Sequence, residues 1–174
     1  MRASPGIFAL LLLAGGFSSA DAQARTPRAS RDSQTVVFVC EHGTVKSVIA
    51  LAYFQQLAQA RQLPFRAISR GTSPDPVVPD VVQDGLRADG LPLSGFAPQL
   101  FTASDLASAI MVVSFDQPTV TRTVANRVPV RAWDGLPAVM ENYGRARSAI
   151  RARVEALIDS LGSAQAPSRN PRRP

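Results

Sequence analysis

Three chemically important residue types are scarce in this chain of 174 residues. It has one cysteine, one histidine and, among nineteen lysines and arginines, one lysine. A single cysteine cannot form an internal disulfide, and a metal site containing it would need Asp or Glu to complete the ligand shell. We therefore expect neither a bound metal nor a cofactor. The three scarce residues, Cys40, His42 and Lys46, lie within seven consecutive positions, which indicates a single chemical site.

The chain also lacks an apolar run long enough to span a bilayer comfortably. Its longest apolar stretch, residues 7–17, follows Arg2 and precedes small and polar residues that end in Ala22-Gln23-Ala24. This is the pattern of a secretory signal with an Ala-x-Ala cleavage site. We predict that residues 1–24 are a signal peptide. The mature chain is then exported to the periplasm or cell envelope without a transmembrane segment, and the missing cysteine after the apolar stretch argues against a lipid anchor.

Positive charge is concentrated at the ends of the chain rather than in its centre. The formal net charge is +6, yet residues 35–161 contain twelve basic and eleven acidic residues. We predict a flexible lead over residues 25–34, one folded domain over residues 35–161 and a disordered basic tail over residues 162–174. A folded face for specific nucleic-acid binding is not supported, although basic ends could contact anionic polymers weakly.

Strands and helices alternate along the predicted domain. Apolar runs predict four strands, and apolar residues at helical spacing predict three helices between and after them. The predicted strands are 36–39, 65–69, 109–114 and 128–130, and the predicted helices are 46–61, 77–89 and 142–161. Thr102 and Asp105 are expected to cap a short helix before the third strand. Such alternation is typical of an α/β fold, a three-layer sandwich with a four-stranded parallel sheet, whose ligand site lies beyond the carboxyl ends of the strands.

The segment Cys40-Glu41-His42-Gly43-Thr44-Val45-Lys46-Ser47 joins the first predicted strand to the first predicted helix. A loop in this position directs its backbone N–H groups and the positive end of the helix dipole at one point, which favours an oxyanion. The same positive potential favours a thiolate over a thiol.

This segment resembles the phosphate loop of low-molecular-weight protein tyrosine phosphatases and their arsenate reductase relatives, whose pattern is Cys, five residues, Arg and Ser. The spacing matches, with Lys46 where the family has Arg. The resemblance implies Cys40 as the nucleophile, Ser47 as the group that stabilises its thiolate and Lys46 as the oxyanion clamp. It also implies that the backbone of the loop binds phosphate, through residues Glu41, His42, Gly43, Thr44, Val45 and Lys46. The segments 69–72 and 88–95 are similar to the same family.

Several of these residues also have plainer interpretations. Cys40 could be a small buried apolar residue at a strand end. His42 could tune the pH response near a phosphate, or it could face solvent and contribute only its backbone N–H. Glu41 places a negative charge in an anion-binding loop, so its side chain should point away or limit the charge of the substrate. Lys46 offers a mobile point charge where a guanidinium would offer a planar fork, which should slow turnover.

Dephosphorylation through a thiolate needs a proton donor for the leaving oxygen. The family supplies it from an Asp-Pro pair after the fourth strand, and the corresponding segment here is Trp133-Asp134-Gly135-Leu136-Pro137. Asp134 is therefore the candidate acid, although Asp before Gly is also a common turn residue. Asp116 and Glu141 are the alternatives. Trp133 could line the mouth of the site or pack beneath the loop.

Three functions are compatible with the sequence. The leading hypothesis is an exported phosphatase that hydrolyses phosphate monoesters, phosphotyrosine among them, through a cysteinyl-phosphate intermediate. The second is an arsenate reductase or thiol transferase, which would need an external thiol. The third is a noncatalytic module that binds oxyanions. The sequence leaves the physiological substrate, the redox state of Cys40 after export and the oligomeric state open.

Overall fold

The structure, a computed structural model, describes residues 34–165. The predicted signal peptide, nearly all of the predicted lead and most of the predicted tail lie outside these residues. Strands β1 (Gln34–Cys40), β2 (Phe65–Gly71), β3 (Ala109–Ser114) and β4 (Val130–Ala132) form one sheet in the order β2-β1-β3-β4. Every neighbouring pair is parallel. The predicted α/β class with a four-stranded parallel sheet is confirmed.

Four α-helices connect and follow the strands: α1 (Lys46–Ala60), α2 (Asp80–Ala88), α3 (Pro118–Val124) and α4 (Tyr143–Gln165). A short 3-10 helix, Ala103–Leu106, precedes β3, and the predicted Thr102 and Asp105 cap is present as a reciprocal capping box. No helix within residues 34–165 is long and apolar enough to cross a membrane.

The two faces of the central strand β1 enter two different cores. Val36, Phe38 and Cys40 pack into the larger core with α1, α2 and α4, whereas Val37 and Val39 pack into a smaller core with α3. Alternate side chains of a strand point to opposite faces, so a fully buried strand needs apolar residues at every position. Residues 36–39 satisfy this requirement, and the result is the predicted three-layer arrangement.

Several predicted boundaries were wrong for identifiable reasons. Strand β2 continues two residues beyond its predicted end, through Arg70 and Gly71, because both pair with β1. Helix α2 begins three residues later than predicted, at Asp80, since the backbone before Pro79 is disfavoured in the helical region. The fourth strand lies two residues further along than predicted. Helix α4 runs through Gln165, so the first residues of the predicted tail are helical.

Helix α3 was missed altogether. It is short, and its sequence Pro-Thr-Val-Thr-Arg-Thr-Val is dominated by β-branched residues, which favour strands. Its starting signal is Pro118 at the first helical turn, a position where proline is well tolerated. Val120 and Val124 hold it against the sheet.

Candidate active site

The loop between β1 and α1 lies at the carboxyl edge of the sheet, where its carbonyl groups are turned outward. The carbonyl oxygens of Cys40, Glu41 and His42 accept hydrogen bonds from the N–H groups of Thr72, Ser73 and Asp75, at 3.1, 2.8 and 3.1 Å. These donors belong to the turn that follows β2. In a planar trans peptide the N–H points away from the carbonyl. The N–H groups of Glu41, His42 and Gly43 are therefore directed inward, as an oxyanion site requires.

Two glycines allow the loop and β2 to approach each other closely. Gly43 has φ of +66°, a backbone conformation that other residues rarely adopt. A Cβ atom on Gly43 would lie 2.6 Å from the backbone nitrogen of Gly71, and a Cβ atom on Gly71 would lie 2.9 Å from three loop backbone atoms. Backbone atoms cannot move aside as a flexible side chain does, so both positions require glycine.

The thiol of Cys40 lies at the centre of this loop. Its Sγ accepts a hydrogen bond from the Gly43 N–H at 3.2 Å and lies 3.0 Å from the Ser47 Oγ. The Ser69 hydroxyl lies 2.8 Å from the Ser47 Oγ and 3.1 Å from the Gly43 carbonyl oxygen and donates its one proton between these two acceptors, so the Ser47 hydroxyl can donate to the sulfur. Hydrogen bonds to sulfur stabilise a thiolate, and the start of α1 adds the positive end of its dipole. The arrangement suits a nucleophilic cysteine better than an inert buried one.

A cavity of about 250 Å³ opens above the thiol. One side is polar and comes from the loop, and the other is apolar and includes Phe115, Val139 and Met140. The complete lining consists of Cys40, Glu41, His42, Val45, Lys46, Phe115, Asp116, Gln117, Ala138, Val139 and Met140. A larger cavity of about 480 Å³ lies between α1 and residues 90–96, but none of its lining residues is ionisable. Of these two cavities, only the smaller is lined by ionisable side chains.

The ammonium group of Lys46 is paired within the cavity. Its Nζ donates to Asp116 Oδ2 at 2.6 Å. Partial burial raises the pKa of Asp116, but hydrogen bonds from Lys46 and the Gly135 N–H, together with the Lys46 charge, outweigh it and lower the pKa overall. With Glu41 also on the lining, the side chains contribute no net positive charge. Attraction for an oxyanion comes mainly from the loop amides and the helix dipole.

Asp116 and Asp134 are joined by their own contacts. Asp116 adopts φ of +53°, and its N–H donates to Asp134 Oδ1 at 3.0 Å, while the Gly135 N–H donates to Asp116 Oδ1 at 3.0 Å. The carboxylate of Asp116 is thereby fixed toward Lys46. Asp134, the acid predicted from the sequence, is not among the residues that line the cavity, and neither is Glu141. The role of Asp134 as the proton donor stays a prediction.

The aromatic residue beside Asp134 packs beneath the cavity rather than around its mouth. Trp133 is buried, with its ring centroid 5.9 Å from that of Phe38 and 5.5 Å from that of Phe115. The lining formed by residues 138–140 is aliphatic. Trp133 therefore supports Phe115 from below.

Sequence reasoning missed the contacts that hold the loop from β2. Ser69 and Gly71 support it directly, and Asp75 contacts His42, with Nδ1 3.2 Å from Oδ1. The predicted parallel sheet could have indicated these contacts, because the carboxyl end of β2 lies at the same edge of the sheet as Cys40. Within residues 34–165, no group of three or more His, Cys, Asp or Glu side chains could hold a metal ion.

The family model described as low molecular weight phosphotyrosine protein phosphatase matches residues 35–132, more than half of the chain. The chain belongs to this low-molecular-weight phosphatase family. The match includes the whole Cys40 loop and ends at the last residue of β4. Among curated proteins, a sequence comparison finds no match.

Solved structures of low-molecular-weight phosphatases and of an arsenate reductase share the fold. YfkJ from Bacillus subtilis is 19% identical, with a TM-score of 0.68, and the match covers 76% of this chain and 96% of YfkJ. A low-molecular-weight phosphotyrosine phosphatase from Vibrio cholerae is 17% identical, with a TM-score of 0.66 and coverage of 76% and 99%. A thioredoxin-dependent arsenate reductase from Corynebacterium glutamicum is 21% identical, with a TM-score of 0.65 and coverage of 76% and 63%.

Proposed function

We propose that this protein is an exported phosphatase that hydrolyses phosphate monoesters through a cysteinyl-phosphate intermediate. The observation that carries the proposal is the environment of Cys40, whose sulfur is hydrogen-bonded by a loop amide and a serine hydroxyl at the base of an open cavity. Family membership supports a phosphate-containing substrate.

The first step is attack of the Cys40 thiolate on phosphorus. The S–P bond forms while the P–O bond to the leaving group breaks, and the leaving oxygen takes up a proton. Negative charge on the equatorial oxygens is stabilised by the inward N–H groups of the loop and by Lys46 once it leaves Asp116. In the second step water attacks phosphorus, the S–P bond breaks, and inorganic phosphate and the thiolate are released.

The apolar side of the cavity favours an aryl ester. Phe115, Val139 and Met140 present hydrophobic surface opposite the loop, and Met140 is 64% exposed at the mouth. An aromatic leaving group would bury this surface, at a gain of about 25 cal/mol for each Å² removed from water. Phosphotyrosine belongs to this class of substrate. The exposed carboxylate of Glu41 at the rim would disfavour a second negative charge on the substrate.

Export is part of the proposal because the apolar stretch and Ala-x-Ala site at the start of the chain have the pattern of a secretory signal. Export places the single cysteine in an oxidising compartment, where it has no internal disulfide partner. Cys40 is 6% exposed, which restricts contact with large oxidants while a small substrate can still enter.

A noncatalytic module that binds oxyanions is the second candidate, and the Lys46–Asp116 ion pair favours it. The pair occupies the only side-chain ammonium available to the site, so a ligand must compete with Asp116. Weak phosphate binding without turnover would follow if the pair did not open.

Hydrolysis of phenyl phosphate by the reduced protein tests the proposal. It is measured with and without a small thiol, and reduction of arsenate is measured under the same conditions. We expect turnover that does not depend on the added thiol. Arsenate reduction that requires the thiol, without phosphatase activity, would instead indicate the reductase. Phosphate binding without either activity would indicate the noncatalytic module.

Replacing Lys46 by Arg is expected to raise kcat/KM for phenyl phosphate about tenfold. A guanidinium can donate two parallel hydrogen bonds to the equatorial oxygens, and each hydrogen bond to a charged group contributes roughly 1.5 kcal/mol. Lys46→Met, which keeps the length of the side chain but removes its charge, should lower kcat/KM and serves as the matched control. An Arg variant that folds normally but is slower would show that the site is built for an ammonium.

Replacing Asp116 by Asn is expected to tighten the binding of inorganic phosphate roughly threefold to fivefold. The change removes the competitor for Lys46, and partly exposed ion pairs contribute up to about 1 kcal/mol. Calorimetric titration at low and high salt measures the phosphate affinity of both proteins. The increase in affinity should be smaller at high salt, because screening already weakens the Lys46–Asp116 ion pair in the unaltered protein. Asp84→Asn is the matched control, since Asp84 pairs with Arg87 away from the cavity. Unchanged affinity in Asp116→Asn would mean that the ion pair does not oppose binding.

A further inference from the structure

His42 is held against a carboxylate at the wall of the cavity. Its Nδ1 lies 3.2 Å from Asp75 Oδ1, and its carbonyl accepts a hydrogen bond from the Asp75 N–H at 3.1 Å. The second carboxylate oxygen of Asp75 accepts from the Thr44 hydroxyl at 3.2 Å, and Thr44 is fully buried. Asp75 is therefore positioned by three contacts, and it orients the imidazole so that Nε2 faces away from it.

The carboxylates near the thiol are engaged as acceptors. Asp116 accepts hydrogen bonds from Lys46 and from the Gly135 N–H. Asp134 accepts from the Asp116 N–H and does not line the cavity. A proton donor must reach the leaving oxygen. Apart from the exposed Glu41, His42 is the one ionisable residue of the lining that is neither the nucleophile nor part of the Lys46–Asp116 pair, and imidazole is the commonest general acid in enzymes.

We propose that His42, oriented by Asp75, is the catalytic acid and base of this site. The inference rests on the proposed phosphatase function. As Cys40 attacks, the protonated imidazole gives its proton to the oxygen that leaves phosphorus, and the product departs as a neutral alcohol or phenol. The neutral imidazole then takes a proton from the water that attacks the phosphocysteine, which restores the imidazolium and the thiolate.

The charges around His42 support this role. The Asp75 Oδ1 lies 3.2 Å from Nδ1 and the Glu41 Oε2 lies 3.9 Å from Nε2, so acidic side chains face both ring nitrogens. The remaining charged groups of the cavity, Lys46 and Asp116, neutralise each other. The working form in this mechanism combines a Cys40 thiolate with a His42 imidazolium.

Two esters with different leaving groups test the assignment. Phenyl phosphate releases a strongly basic phenolate that needs a proton, whereas dinitrophenyl phosphate releases a weakly basic one that does not. His42→Asn is expected to lower kcat/KM for phenyl phosphate about a hundredfold, because general acid catalysis contributes at least about this factor. It should lower kcat/KM for the dinitrophenyl ester less than about threefold, because kcat/KM reports only the steps up to release of the phenol and not the later hydrolysis of the phosphocysteine. Asp75→Asn should show the same imbalance to a smaller extent.

Two further variants serve as comparisons: Asp134→Asn tests the alternative acid, and Asp84→Asn is the control away from the cavity. Asp84→Asn should leave both rates unchanged, and Asp134→Asn should alter both by the same factor. Equal losses for both esters in His42→Asn would reduce His42 to a structural role, and an imbalance in Asp134→Asn would assign the acid to Asp134. Either result overturns the inference while the proposed function stands. If the unaltered protein hydrolyses neither ester, the proposed function and the inference both fail.

Discussion

Replacing Cys40 by Ser is expected to lower phenyl phosphate turnover at least about ten-thousandfold. A serine hydroxyl is a far weaker acid and a poorer nucleophile than a thiol, and loss of a catalytic nucleophile costs factors of this size. The contacts that now stabilise the sulfur, the Gly43 N–H and Ser47 hydroxyl, cannot deprotonate an alcohol. The measurement is the steady-state rate of phenyl phosphate hydrolysis by the reduced proteins. The variant is assayed at high enzyme concentration so that a very slow rate can be detected.

Phosphate binding by the Cys40→Ser variant is the control for folding. The loop amides and Lys46 do not depend on the sulfur, so the affinity for phosphate should stay within a few-fold of the unaltered protein. Ser47→Ala should give an intermediate result, with a slower rate, because it removes one hydrogen bond to the thiolate. Turnover that survives in Cys40→Ser would place the nucleophile elsewhere.

Replacing Gly71 by Ala is expected to abolish phosphate binding and turnover and to lower the free energy of unfolding by about 1–3 kcal/mol. The added methyl group would lie 2.9 Å from the Glu41 carbonyl oxygen, the Gly43 nitrogen and the His42 carbonyl carbon. Because these are backbone atoms, relief requires the loop to move away from β2. That movement disturbs the outward carbonyl contacts and hence the inward N–H groups.

Gly162→Ala is the matched control for this substitution. A Cβ atom there would meet only the Leu63 side chain, at 3.7 and 3.8 Å, which is ordinary contact. Alanine is the better helix former, so stability should be equal or slightly higher and activity unchanged. Thermal unfolding and phosphate titration of both variants measure the contrast. A Gly71→Ala protein with normal stability and activity would show that the close approach does not hold the loop.

The segment from β1 to α1 could be predicted from sequence because its signals are local. Four consecutive apolar residues mark a strand buried on both faces, and the scarce residues Cys40 and Lys46 mark the loop. The fold class followed from the alternation of such segments, and the structure confirms it. Helix α3 could not be predicted in the same way, because tertiary packing of Val120 and Val124 overrides the strand preference of its residues.

The partners of the loop side chains could not be predicted because they are distant in sequence. Lys46 and Asp116 are 70 positions apart, and their pairing depends on the left-handed backbone of Asp116 and its contact with Asp134. His42 and Asp75 meet because β1 and β2 are adjacent and end at the same edge. Both contacts also need the register of the sheet, which is fixed only when the sheet has formed.

Detection of the phosphocysteine tests the central claim most directly. Reduced protein mixed with dinitrophenyl phosphate and quenched rapidly is digested and analysed by mass spectrometry, with Cys40→Ser treated in parallel. We predict one phosphoryl group on Cys40, formed as fast as the phenolate is released and lost as inorganic phosphate appears. Turnover without a phosphoryl group on Cys40, or with the group on His42 instead, would contradict the account.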